Sequence, residues 1–315
     1  MRNVFFCLLI GILFWGCSDE NPSISFAEIS SSSAIETFSS SIENVKSSSS
    51  VVESSSSEII ISSSSGISYG ELIDERDGQV YKTIKIGEQT WMAENLNYAY
   101  TTQISKHYYN YETKEPIDSA SFCYNNQPDS CAKYGRLYAW DLAMDCENQK
   151  NHCDQYHDDN FKSRGICPEK WHIPSVNEWN TLIDYANNFA TNLKSTSGWL
   201  DGGNGSDVFG FNLLPAGFYD ITNSGYFYYS ERDGEEWNPV ESAGKHTCFW
   251  TQVQWTACIP FGQNHEGCGY EAAYALCISS KDREVMSLDI NDDFGIMGKG
   301  YALSVRCVKD SEEAE

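Results

Sequence analysis

Twelve cysteines in 315 residues constrain this chain more than any other feature. Reducing compartments keep thiols free, so such a count points either to metal sites or to export. Spacing separates the two. No CxxC pair occurs, whereas zinc sites usually draw two ligands from one tight turn. Six histidines are present, none in an HExxH pattern. Export with disulfide formation is the expectation, and the lack of a CxxC context argues against redox-active thiols.

The amino terminus carries a matching signal. Arg2 is a short basic region, and Val4 to Trp15 is an apolar run broken only by Gly11. About a dozen apolar residues are too few to span a bilayer but suit the core of a signal peptide. The run leads into Leu13-Phe14-Trp15-Gly16-Cys17, which resembles a bacterial lipobox. The resemblance implies that residues 1–16 are a lipoprotein signal peptide and that Cys17 is lipidated. Ser18 after the cysteine points to the outer membrane, with contact through the lipid anchor alone.

Residues 17–68 read as a Ser-rich linker. Serine tetrads stand at 30–33, 47–50, 54–57 and 62–65, separated by Glu and short aliphatic pieces. Such a chain cannot bury enough apolar surface to offset its ordering entropy. About fifty residues of flexible coil reach roughly 40 Å, enough to hold a domain off a lipid surface.

The globular part spans residues 69–310 and ends in an acidic tail, 311–315. The chain is 41% apolar and 14% aromatic, sufficient for a real core. Its formal charge is -24, which repels phosphate backbones and sets nucleic acid aside as a partner. Val80 to Ile86 followed by Gly87-Glu88 and Gln89 to Met92 predicts a hairpin, with Val80, Ile84 and Ile86 on one face. Tyr138 to Met144 predicts a short helix. A second helix starts at Ser175, where Ser175 and Glu178 form a capping-box pattern. Trp179, Leu182, Ile183, Ala186 and Phe189 follow at helical spacing. Val285 to Ile290 and Leu303 to Val308 read as late strands.

Several phrases carry a resemblance. They are Gly87-Glu88-Gln89-Thr90-Trp91-Met92-Ala93-Glu94-Asn95-Leu96-Asn97-Tyr98, the run Cys131 to Trp140, the run Cys167 to Ser175 with Glu178-Trp179, Leu214-Pro215-Ala216-Gly217-Phe218, and Ser304 to Lys309. Over about residues 70 to 310 the chain resembles the Fibrobacter succinogenes major paralogous domain. That resemblance implies a surface or secreted protein of a fibre-degrading bacterium and implies no mechanism. The order of elements in turn resembles the C-type-lectin or formylglycine-generating-enzyme architecture. The fold expected is α+β and disulfide-rich, mostly antiparallel strands with a few short helices, in a C-type-lectin-like arrangement.

Beyond Cys7 and Cys17, ten cysteines remain, and sequence alone chooses none of their roughly nine hundred connectivities. Short separations suggest Cys123 with Cys131, Cys146 with Cys153, Cys248 with Cys258, and Cys268 with Cys277. Cys167 and Cys307 then remain, a pair that suits the lectin-like resemblance. Tyr226, Tyr228, Tyr229, Trp237, Trp250 and Trp255 sit among polar turn residues and are candidate platforms for sugar rings, although core burial is the commoner fate of such aromatics. Asp289, Asn291 and Asp293 offer hard oxygens for calcium; a strand-end turn is the plainer account, and no other cofactor is expected. Glycoside hydrolysis needs two carboxylates at a defined separation, and 45 acidic residues make any chosen pair uninformative. Glu178 reads as a cap and Glu94 as a structural acceptor. The expectation is a cell-surface lipoprotein with a non-catalytic binding or adhesion domain for plant polysaccharide. Alternatives are an enzyme of hydrolase or formylglycine-generating type, and a scaffold contacting other surface proteins.

Overall fold

The computed structural model describes residues 66–100, 108–109, 113–114, 116–117, 121–146, 153, 159, 162–222, 228–229, 236–255, 272–285, 288 and 295–311. The signal segment, Cys17 and nearly all of the Ser-rich tract lie outside them. In chain order the first strands are β1 (Gly70–Ile73), β2 (Val80–Ile86), β3 (Gln89–Met92), β4 (Tyr108–Tyr109), β5 (Pro116–Ile117) and β6 (Ser121–Phe122). Helix α1 (Pro128–Tyr134), β7 (Leu137–Ala139), α2 (Trp140–Ala143), β8 (Trp171–His172), α3 (Val176–Tyr185) and α4 (Ala190–Leu193) follow. The remaining strands are β9 (Tyr219–Asp220), β10 (Tyr228–Tyr229), β11 (Glu236–Trp237), β12 (His246–Trp255), β13 (Ala272–Ser279), β14 (Ile296–Gly298), β15 (Tyr301–Ser304) and β16 (Val308–Lys309).

Two larger sheets organise most of these elements, and β4–β5 and β10–β11 form separate two-stranded pairs. One runs β1-β2-β3-β16-β8; the other runs β14-β13-β12-β15-β7-β6, with β9 also on β15. Pairing is antiparallel except for one parallel contact between β12 and β15. The fold is α+β, mostly β, as the pattern of the sequence predicts.

The β2–β3 hairpin turns at Gly87, whose φ of 59° suits a tight turn and costs glycine nothing. Tyr81, Ile84 and Ile86 are buried, whereas Val80 is 56% exposed. Val80 pairs with Ile73 on the edge strand, and Ile73 is exposed as well, so this end of the face has no cover.

The capping box at α3 is complete. The Ser175 hydroxyl accepts from the Glu178 backbone N–H, and the Glu178 carboxylate accepts from the Ser175 N–H. Asp159 caps the next two N–H groups, Val176 and Asn177, at 2.6 Å each. Trp179, Leu182, Ile183 and Ala186 are fully buried. Phe189 departs from the predicted face and is 46% exposed. Asn187 and Asn188 take φ of 55° and 61°, which ends the helical period before Phe189.

Three further expectations are corrected. Tyr138 lies in β7, not in a helix; Leu137–Ala139 pairs with β15 before the chain turns into α2. Of the strand expected over Val285 to Ile290, Val285 and Leu288 are buried and lie in no strand, the Val285 N–H donating to the Asn188 carbonyl beyond α3, and 286–287 and 289–290 lie outside the described residues. Leu303 to Val308 is not one strand. It crosses from β15 in one sheet to β16 in the other through Val305-Arg306-Cys307.

Two aromatic cores form, each drawing side chains from both sheets. Beneath α3, the Trp91 and Trp179 rings lie 4.7 Å apart, with Phe249 5.4 Å from Trp179 and Phe211 5.7 Å from Trp91. Burial of each such side chain contributes about 2–3 kcal/mol. In the second cluster, Trp140 and Trp250 have satisfied indoles: Nε1 donates to Thr251 O and to Tyr138 O, at 3.1 and 2.7 Å.

Disulfides join Cys123 to Cys131, Cys146 to Cys153, Cys167 to Cys307, and Cys248 to Cys277. The last corrects the suggested pairs Cys248–Cys258 and Cys268–Cys277. β12 and β13 place Cys248 and Cys277 directly opposite each other, so strand register rather than sequence proximity decides the partner. Cys258 and Cys268 lie outside the described residues.

Candidate binding site

Where β3 ends, the chain bends into a polar cleft of about 300 Å³. Gln79, Val80 and Tyr81 line it from β2 and the turn before it. Glu94, Asn95 and Asn97 follow β3; Cys131 to Gly135 come from α1 and its C-terminal cap, and Asn212 and Leu214 from the segment preceding β9.

Local geometry holds each group. One Glu94 carboxylate oxygen accepts from the Lys82 N–H at 2.7 Å, and the other has no partner among the described residues. Asn97 N–H donates to the Tyr81 hydroxyl at 3.0 Å. Asp77 only accepts, so Gln79 turns its amine toward Asp77 and its oxygen toward Asn97, whose Nδ2 donates at 3.0 Å. Gly135 closes α1 with φ of 77°, and a Cβ there would sit 2.7 Å from Asn95 Cβ and 2.8 Å from Leu96 O. Only glycine allows α1 to approach the β3 loop this closely.

Beneath the cleft, Arg306 is fully buried. Its Nε and Nη2 donate to Asn95 Oδ1 at 3.0 and 2.5 Å, Nη1 to Phe211 O at 2.5 Å, and Nη2 to Asn212 O at 3.3 Å. The guanidinium lies 4.5 Å from the Phe211 ring centroid and 5.4 Å from that of Phe249. Burial lowers its pKa to about 9 against the opposing pull of Asp207 and Glu94, so it stays cationic at neutral pH. Asn95 completes the frame by donating to Tyr134 O at 2.8 Å and to Ser304 Oγ at 3.3 Å. One buried cation thus positions two cleft residues, Asn95 and Asn212, from distant parts of the chain.

The groups left at the cleft are a carboxylate oxygen of Glu94, the Asn212 side-chain amide, and the Lys133 ammonium, which lies 4.6 Å from the Tyr134 ring centroid. Val80 and Leu214 add apolar surface. Donors and acceptors in this mixture suit hydroxyl groups, which do both.

The residues singled out in the sequence fall elsewhere. Trp250 and Trp255 are buried, 1% and 9% exposed, and belong to the cores, not to a ligand face. Trp250 is held there by its bond to Tyr138 O. β10 and β11 pair Tyr228 with Trp237 and Tyr229 with Glu236 in backbone register; the positions of those side chains, and Tyr226, lie outside the description. So do Asp289, Asn291 and Asp293. Among the described residues no group of three His, Cys, Asp or Glu side chains is placed to hold a metal ion. Asn95, Asn212 and Arg306 were missed as site residues. The available signal was indirect: Asn95 and Arg306 lie inside phrases that carry the family resemblance.

A second polar cluster surrounds His172, which is 1% exposed. Its Nδ1 is 2.6 Å from Asp310 Oδ1, and its Nε2 is 2.9 and 3.1 Å from the Glu178 oxygens. Both contacts are N–H donations only when both ring nitrogens carry protons. Burial alone would raise the Glu178 pKa; the hydrogen bond and charge of His172, with the Ser175 bonds, hold it below the ordinary glutamate value. The arrangement pins the end of the chain to the start of α3.

No curated protein and no solved structure matches this chain. A family match covers residues 84–309, which takes in most of both polar clusters and all four disulfides. The chain belongs to the Fibrobacter succinogenes major domain family.

Proposed function

We propose that this domain is a non-catalytic carbohydrate-binding module, carried on a lipid-anchored serine-rich tether at the outer membrane. One observation carries the reading. Four of the five phrases that mark the family converge on the cleft: those of β3, of α1, of Leu214 to Phe218 and of Ser304 to Lys309, the last through Arg306. Their meeting supports a shared binding surface, because residues so far apart in the chain are held together by a fully buried cation.

The chemistry fits sugar hydroxyls. Glu94 accepts, Lys133 donates, Asn212 does both, and Tyr134, Val80 and Leu214 offer apolar contact to the C–H faces of a ring. Titration calorimetry of the full chain against soluble xylan, glucomannan and cello-oligosaccharides tests the reading. E94Q and N212G should each weaken binding about tenfold, the loss of one good polar contact, with unfolding midpoints little changed, since glycine accepts the left-handed backbone of position 212. Saturable binding that both variants leave intact would move the site away from this cleft, and absence of binding to every polysaccharide would end the reading.

A further inference from the structure

A second cleft, of about 550 Å³, opens beside His172 and is lined by Lys162, Arg164, Trp171, His172, Asp310 and Ser311. Its charge is unusual for this molecule, in which 45 acidic residues outnumber 21 basic ones. Asp310, the carboxylate in its lining, and Glu178, across His172 from it, are already engaged. Asp310 and Glu178 both bond His172, and Glu178 also serves the α3 cap. Neither forms an ion pair with Lys162 or Arg164 among the described residues. Asp74, whose charge Arg164 also feels, is paired with Arg76 at 2.6 Å.

The cations are therefore left facing solvent. Lys162 Nζ donates to Ser311 Oγ at 3.3 Å. Arg164 uses only Nε, donating to Cys167 O at 3.2 Å, so that its two terminal nitrogens have no acceptor among the described residues. That bond anchors the guanidinium at Nε and leaves its Nη1–Nη2 edge available. Such a fork matches the two oxygens of a carboxylate, and an ammonium beside it adds a third donor.

We propose that this cleft binds a carboxylate of an acidic polysaccharide, a polyuronate, at a site separate from the Glu94 cleft. It shares with the proposed function only the premise that the domain recognises sugar polymers. A net charge of -24 repels dense polyanions at long range. A polymer with one carboxylate per sugar concentrates less charge than a sulfated or phosphate chain, and its uncharged hydroxyls can meet Ser311 and the Asp310 oxygen not bound to His172.

Affinity electrophoresis of the full chain tests this in gels holding polygalacturonate, its methyl ester, or polyphosphate. Polygalacturonate should retard the protein, and the methyl ester, which keeps the backbone but loses the charge, should not. The double variant K162A/R164Q should weaken retardation about tenfold or more, as expected for losing two charge-assisted contacts. The glutamine introduced in place of Arg164 keeps a donor for Cys167 O, and both substituted positions are exposed, so the unfolding midpoint should hold. E94Q should leave retardation unchanged, so a failed neutral-sugar site and a failed uronate site give different results. Equal retardation by the ester, equal retardation by polyphosphate, or full retardation of the double variant would each overturn the proposal.

Discussion

Arg306 and His172 hold the two clefts by contrasting means. Among the described residues Arg306 meets no carboxylate in contact; it is satisfied by an amide oxygen and two backbone carbonyls and is covered by two phenylalanine rings. His172 meets two carboxylates, both of which reach solvent, with side chains 21% and 46% exposed. Each ties the last part of the chain to elements far back in sequence. The contrast concerns what remains after one partner is removed. Deleting Arg306 strands two buried acceptors, Asn95 Oδ1 and Phe211 O, whereas deleting His172 frees two carboxylates that water can solvate.

The disulfide between the two regions should show the largest effect. Cys167 and Cys307 close a loop of 140 residues, and the variant C167A/C307A should lose about 5 kcal/mol in the chain-entropy model. Denaturant titration reads this directly; a loss under about 1 kcal/mol would mean that the clefts hold the chain end without the crosslink. Next comes R306M, expected to cost about 3 kcal/mol or more because the stranded acceptors stay buried. H172Q should cost about 1 kcal/mol, since its partners hydrate and glutamine keeps a donor. Should H172Q prove costlier than R306M, the distinction between neutral and charged partners would collapse.

The smallest effects are those of pH, and they run in opposite directions. Glu178 has a folded pKa below its ordinary value, so its contribution is present above that value and is lost as pH falls through the lowered one. Asp207, beside Arg306, is shifted upward by burial despite bonds from Asn212 and Phe211 and the charge of Arg306. Its contribution is present below the ordinary aspartate value and fades as pH rises through the raised one. Hydrogen exchange followed from neutral pH down to about pH 3, below the ordinary glutamate value, should therefore show α3 and the β8–β16 pair losing protection before the segment around Phe211. Uniform loss would contradict the assignment.

Legibility followed range in sequence. The β2–β3 hairpin and the α3 cap were readable because turn and cap chemistry lie within a few residues. The end of α3 was missed because two asparagines in left-handed conformation stop the helix where apolar spacing continues. The split of Leu303 to Val308 was missed for a different reason. Its apolar run looks like one strand, yet Arg306 in its middle is drawn inward to Asn95 and the chain changes sheets there. Trp250 resembled a binding aromatic by its setting, but strand β12 carries it into the core, where its N–H finds a carbonyl.

By itself, the sequence determined a disulfide-braced α+β body of the Fibrobacter major domain family, since cysteine number, capping and short alternating strands depend on nearby residues. Tertiary structure alone decided that Cys248 meets Cys277, and that Glu94, Lys133 and Asn212 share one cleft over Arg306. Those neighbours are set by strand register and by a buried cation that must find its acceptors wherever the chain brings them, and no spacing along the sequence encodes that distance.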